Sequence, residues 1–217
     1  MEIARNTTME AWKAALNEIR EHGESAVDTE GRSSTELLNL SITIRSPQDD
    51  VTKPIEVMRG FKSWSYPEQD ELEDVFFKKE ASSSYYYTYG ARIFNYTNSK
   101  DQIEEYIIPL LSKQPNSRRA IVVLYQPVVD SKLGVKENPC LISIFFRIID
   151  SRLSVSALLR SNDIFIGWPA NIYQLCLLQK YVAERLGIES GSMTTISHSA
   201  HIFHEYDEEI EAVLRKA

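Results

Sequence analysis

Residues 141–160 read LISIFFRIIDSRLSVSALLR. Two runs rich in β-branched and aromatic side chains, Leu141–Ile149 and 153–160, flank the polar pair Asp150-Ser151. Such runs around a two-residue polar break predict an antiparallel hairpin. Directly downstream, residues 171–186 are mostly apolar and end at Gly187, which predicts a helix buried on most of its sides. A further strand is expected over 193–203, and a short acidic helix over Asp207–Arg215 closes the chain.

Working upstream, residues 120–126 form another strand candidate. Thr8–His22 (TMEAWKAALNEIREH) places Trp12, Leu16 and Ile19 on one helical face. Thr7 and Glu10 have capping-box spacing at its start, and Gly23 is its stop. Leu38, Leu40, Ile42 and Ile44 alternate with polar residues, the period of a half-buried strand. A helix is expected over 101–112, bent or shortened by Pro109. Residues 48–84 are polar and irregular, which suggests a functional loop region with a short helix around 71–79. Strands in runs beside segregated helices read as α+β rather than doubly wound α/β. No linker, repeat or low-complexity tract divides the chain, so residues 1–217 are expected to form a single domain.

The chain is long enough to bury a substantial core. No apolar run approaches the roughly 20 residues of a membrane span, and residues 1–8 lack the apolar core of a secretory signal. The two cysteines, Cys140 and Cys176, stand in different contexts, which argues against a disulfide framework and for a reducing cytoplasm. Net charge is −7 with no visible basic stripe. Neither nucleic acid nor a membrane is therefore an expected partner, and no metal is expected. An anionic ligand has to be small and held by local arginines.

Cys140 follows Asn138-Pro139 at the head of an apolar strand, where a thiol can be partly exposed. Cys176 sits in an apolar helical run and reads as a small core residue. Local context alone leaves Cys140 equally open to a structural or a nucleophilic role. Hairpin geometry brings Arg160 toward Cys140, because one strand starts where the other ends. A nearby guanidinium lowers a thiol's pKa and also binds phosphate. Taken singly, Arg118, Arg119 and Arg160 read first as surface charges in ordinary ion pairs.

A longer word adds to this. Residues 160–172, RSNDIFIGWPANI, resemble the thymidylate synthase signature R-S-x-D, then G, then P-x-N-I. Ser117-Arg118-Arg119, Pro139-Cys140, Tyr89-Gly90 and Ala200-His201-Ile202 match further family elements in the same order. The resemblance is strongest from Tyr89 to His201, about half the chain, and fits the N-terminal third in outline. It implies a mixed or antiparallel sheet with helices packed on it and one sheet face at a homodimer interface.

The roles implied by this resemblance are as follows. Cys140 matches the nucleophile that adds to carbon 6 of a pyrimidine, a covalent route that divides one hard step into easier ones. Arg160 and Ser161 match phosphate ligands, and Arg118 and Arg119 match a pair that reaches the phosphate from the neighbouring subunit. Asn171 matches the amide that reads the base; related cytidylate hydroxymethylases carry Asp there, so Asn171 favours uracil. Asp163 matches a pterin-contacting carboxylate, Tyr89 a proton-removal tyrosine, and His201 a sugar-hydroxyl contact. The implied partners are a pyrimidine nucleotide and 5,10-methylenetetrahydrofolate or a related tetrahydropterin.

The chain departs from the family pattern in several places. Phe203 stands where a tyrosine usually bonds the sugar hydroxyl, and Leu159 replaces a glutamine. The segment Asp28-Thr29-Glu30-Gly31-Arg32 lacks an arginine directly after aspartate, and Arg32 is the expected substitute. Glu71 and Glu73 are the nearest candidates for a catalytic glutamate, though each taken alone reads first as a solvated helix residue. The short C-terminus and residues 87–95 (YTYGARIFN) look most like short, archaeal-type enzymes. Beside thymidylate synthesis stand a nucleotide hydroxymethylase, a catalytically silent nucleotide-binding homologue, and a cysteine hydrolase using His198 or His201.

Overall fold

Asp150 and Ser151 both adopt positive φ (49° and 61°), and Ile149 pairs with Arg152 across them. This is the two-residue turn whose twist matches that of antiparallel strands. The computed structural model describes residues 1–80, 86–134 and 137–215. Its strands are β1 (Glu2–Arg5), β2 (Glu24–Val27), β3 (Ser33–Ile44), β4 (Ile121–Val123), β5 (Leu141–Ile149), β6 (Arg152–Asp163) and β7 (Glu189–Phe203). The helices are α1 (Thr8–His22), α2 (Lys53–Arg59), α3 (Gln69–Phe77), α4 (Tyr89–Phe94), α5 (Ile108–Lys113), α6 (Pro127–Asp130), α7 (Gly167–Leu186) and α8 (Asp207–Arg215).

The strands form one mixed sheet in the order β1-β3-β7-β6-β5-β4, with β2 paired to β3. β6 and β7 run parallel, joined through α7, as do β1 and β3; the other pairings are antiparallel. The fold is α+β, as expected. Helices α1 and α7 pack on the sheet, and Trp12, Leu16 and Ile19 of α1 are fully buried there. Trp12 Nε1 donates to Ile164 O at 2.7 Å, tying α1 to the end of β6. The capping box of Thr7 and Glu10 is present, and Gly23 closes α1.

Buried Gln179 fastens α7 to the start of both parallel strands. Its Nε2 donates to Leu153 O, Gly191 O and Ser192 O at 2.8, 3.2 and 3.0 Å. In an apolar helix such a side chain is tolerated because its polar atoms are satisfied. Among the described residues no helix is long and apolar enough to cross a membrane.

Several element boundaries move. The strand expected over 120–126 shrinks to β4, because Pro127 opens α6. The helix expected over 101–112 divides into a π-helical turn, Ile103–Ile107, and α5. Pro109, in the first turn of α5, lacks the N–H that regular continuation needs. The helix expected from 171 begins at Gly167, with Pro169 in its first turn. Strand β6 starts one residue earlier and ends three residues later than expected, and β7 starts four residues earlier and ends as expected. The irregular stretch 48–84 contains α2 and α3; its residues 81–84 lie outside the described residues.

Candidate active site

Cys140 is half-buried, immediately before β5. Its carbonyl accepts the Arg160 backbone N–H at 2.8 Å, so the β5–β6 pairing itself sets this arginine beside it. The guanidinium folds onto the approach turn, with Nε donating to Pro139 O at 3.0 Å and Nη2 to Asn138 O at 2.9 Å. The Tyr87 hydroxyl donates to the same Asn138 carbonyl at 3.3 Å. The turn that carries the thiol is thereby clamped from two sides.

The expected lowering of the thiol pKa is reversed. Burial pushes the Cys140 thiol above its ordinary value, and Arg160 pulls it down by less. The physical reason is that desolvation acts on the half-buried sulfur in full, whereas the exposed guanidinium is screened by water. Arg160 is the charged group acting on this thiol. His198 is exposed and bonded to Asn39 at 3.2 Å, and neither it nor His201 is among the groups acting on the Cys140 thiol, as the pairing of a cysteine hydrolase requires.

Tyr89 opens α4, whose first turn is capped by Thr88 Oγ1 accepting from Ala91 N at 3.1 Å. Its neighbour has to be glycine. A Cβ at Gly90 would meet Phe76 O at 2.2 Å and Lys78 O at 2.6 Å, so only a bare backbone lets α4 seat against the end of α3. The Tyr87 and Tyr89 rings lie 6.0 Å apart. Burial raises the Tyr89 phenol well above its usual range and pushes Tyr87 up to about 12. Both therefore remain neutral hydroxyls that can donate or relay a proton. They wall a cavity of about 390 Å³ with Val75, Glu137 and Gln174.

The end of β6 turns into α7 through Asp163, whose Oδ1 accepts the N–H groups of Phe165 and Ile166 at 2.9 Å each. Asp163 faces His201 in parallel register. Burial raises the Asp163 carboxyl, against the bonds from Ile166 and Phe165 and the field of His201. Burial lowers His201, opposed by Asp163 and Glu36. A second cavity, about 290 Å³, gathers Ser161, His201, Phe203, Ser199, Glu36 and Arg32. The Arg32 guanidinium lies 4.0 Å above the Phe203 ring and bonds Asp28 through Nε at 2.8 Å. Arg32 thus reaches this cavity although it comes four residues after Asp28.

Asn171 lies in the first turns of α7, with Nδ2 donating to Asn162 Oδ1 at 3.4 Å. Asn162 Nδ2 in turn donates to Ser197 Oγ at 2.9 Å. Arg118 and Arg119 stand elsewhere. Both are exposed before β4, and Arg119 bonds Gln114 at 2.7 Å. Phe146 N donates to Ala120 O, so the arginine pair lies beside the Arg147 end of β5. At about 3.4 Å per residue of strand this is on the order of 20 Å from Cys140.

Of the two glutamate candidates, Glu71 Oε2 caps its own helix by accepting from Glu68 N at 3.1 Å, and Glu73 acts on Tyr173. Leu159 is fully buried core. Glu137, Tyr87 and Asn162 escaped sequence reading. Chain proximity was the signal for each: Glu137 lies three residues before Cys140, Tyr87 two before Tyr89, and Asn162 between Ser161 and Asp163.

A clamped, arginine-flanked thiol at a strand entrance suits a class of protein that performs nucleophilic addition near an anionic ligand. The comparisons agree with that class. The thymidylate synthase family model matches residues 57–217. A Methanosarcina barkeri protein is 37% identical over 94% of this chain and 91% of its own length. A Methanococcoides burtonii protein is 35% identical over 98% and 94%, and one from Methanothermobacter thermautotrophicus is 32% identical over 98% of each. Each carries the name "Putative thymidylate synthase". The chain belongs to the thymidylate synthase family.

Proposed function

We propose that this chain methylates deoxyuridylate to thymidylate, with Cys140 as the covalent nucleophile. The observation that carries this reading is the Cys140–Arg160 arrangement, in which one strand pairing joins the thiol to a guanidinium. The Cys140 sulfur adds to carbon 6 of the pyrimidine, which makes carbon 5 nucleophilic; the thiol proton leaves to a neighbouring base or water. Tyr89, kept neutral beside Cys140, belongs to the proton path at carbon 5. Asn171 reads the uracil edge with one acceptor and one donor.

Ser161 and Arg32, which share a cavity, hold the phosphate end together with Arg160. His201 in that cavity contacts the sugar. Arg118 and Arg119 lie too far along β5 to serve their own thiol, which supports donation to a partner's site in a homodimer. Phe145 and Ile196 stay more than a third exposed on the sheet, as an interface face requires.

The residues fit a reduced pterin. The cavity of about 390 Å³ has tyrosine walls and a polar edge from Glu137 and Gln174, which suits a flat, hydrogen-bonding bicycle. Asp163, the carboxylate that the family resemblance assigns to the pterin, is not among the residues lining that cavity and faces His201 instead. When bound, the pterin supplies the one-carbon unit and the hydride.

The absence of a hydroxyl at Phe203 relaxes the choice between deoxyribose and ribose, and a second reading, pyrimidine nucleotide hydroxymethylation, stands beside the first where water rather than hydride reaches the one-carbon unit. Incubation with methylenetetrahydrofolate and each of deoxyuridylate, uridylate, deoxycytidylate and cytidylate, followed by mass spectrometry, separates the two. Methylated deoxyuridylate is the expected product. A hydroxymethyl product overturns the first reading in favour of the second.

A further inference from the structure

We propose that Asn162 is a specificity-determining residue that positions Asn171 by fixing which end of its carboxamide faces the base. This rests on Asn171 being the base contact. Asn162 is 2% exposed and Ser197 fully buried. Asn162 spends its Nδ2 on Ser197 Oγ at 2.9 Å and presents Oδ1 to Asn171 Nδ2 at 3.4 Å.

An amide carries its acceptor on one arm and its donors on the other. With one N–H of Asn171 turned to Asn162, its carbonyl oxygen and second N–H are left for a ligand. Uracil offers a ring N–H and a carbonyl oxygen at carbon 4, which match that pair. Cytosine offers a ring nitrogen acceptor and an amino group at carbon 4, which match the flipped amide. Flipping Asn171 alone sets its carbonyl oxygen against Asn162 Oδ1, two acceptors with no proton between them.

The flip is therefore shared. Asn162 has to turn as well, and Ser197 has to donate where it now accepts. Buried polar groups keep their bonds or incur a desolvation cost. Ser197 can donate by rotating its hydroxyl, so all three side chains change together or none does. The arrangement present is the one that matches uracil, and accepting cytosine requires a concerted turn in a buried space by residues that need never touch the nucleotide. Charge takes no part, since all three side chains are neutral.

The test is the preference for deoxyuridylate over deoxycytidylate, read as a ratio of Kd values by calorimetry. Asn162→Leu removes the relay at similar volume and is expected to lower the preference about tenfold. Asn162→Asp retains an oxygen that accepts from Asn171 and is expected to keep most of it. Ser197→Ala, which releases Asn162, is expected to lower it severalfold and serves in place of Asn162→Leu should that protein not fold.

Preference retained in Asn162→Leu or Ser197→Ala overturns the proposal, as does equal loss in Asn162→Asp and Asn162→Leu. Asn171→Ala separates the two levels. If it keeps the preference, the base-contact reading falls and the relay with it. If it loses the preference while Asn162→Leu keeps it, only the relay falls.

Discussion

Cys140 and Cys176 occupy opposite kinds of site on the same scaffold. Both thiols are pushed above their ordinary pKa by burial, Cys176 the more strongly and with Asp50 adding to it, Cys140 less because Arg160 opposes it. Access and company separate them further. Cys140 sits half-exposed before β5, with Arg160 and Tyr87 holding the turn that carries it. Cys176 is 1% exposed inside α7, among apolar residues of the core. On the proposed reading, the reactive cysteine differs from the structural one by a clamped backbone and an open side.

The sharpest way to break that contrast is turnover. Cys140→Ser is expected to reduce thymidylate formation by at least about 1000-fold, since a hydroxyl is a far weaker nucleophile at neutral pH. Cys176→Ala should stay within about threefold of the parent, because it removes only a packed sulfur. Steady-state assay of both proteins decides it, and equal losses would erase the distinction.

Next in size is alkylation of the native protein. Iodoacetamide should modify Cys140 at least about 100-fold faster than Cys176, which becomes reactive only on opening of the core. Peptide mass spectrometry over a time course gives the ratio. Stability should show the reverse order. Cys176→Ser buries a hydroxyl and is expected to cost about 1–3 kcal/mol in urea unfolding. Cys140→Ser should cost less than about 1 kcal/mol, as its site is already partly wet.

The smallest expected effect concerns Arg160. The guanidinium lowers a thiol that burial has raised, so removing it leaves the raising cause alone. In Arg160→Ala the alkylation profile of Cys140 should move to higher pH, and its rate at pH 8 should fall about three- to tenfold. A profile moved to lower pH would show that the arginine acts mainly by holding Asn138 and Pro139.

Legibility varied along the chain for physical reasons. The β5–β6 hairpin was visible because a polar pair interrupts two long apolar runs. Helix α1 was visible because its capping box and apolar stripe agree. β1 and β2 were missed, since four residues are too few to show a period. α2 was missed inside a polar stretch whose buried residues, Ile55 and Met58, are too sparse to form a clear stripe.

The site divides the same way. The approach of Arg160 to Cys140 followed from hairpin geometry, and the structure shows it. The sign of the thiol's shift did not follow, because proximity in sequence says nothing of how much water is excluded. Arg32 was foreseen as a substitute arginine, but its stacking on Phe203 required β2, β3 and β7 to be assembled.

The sequence by itself determined the α+β class, the hairpin, the buried helix α7, the family, and the contrast between an accessible and a buried cysteine. These depend on local periodicity, turn chemistry and ordered motifs, which are written along the chain. Tertiary structure alone decided the parallel pairing of β6 with β7, the clamp on the Cys140 turn, the opposed shifts of Asp163 and His201, and the Asn171–Asn162–Ser197 relay. Each of these depends on which distant groups exclude water from one another, and that exists only once the sheet has closed around them.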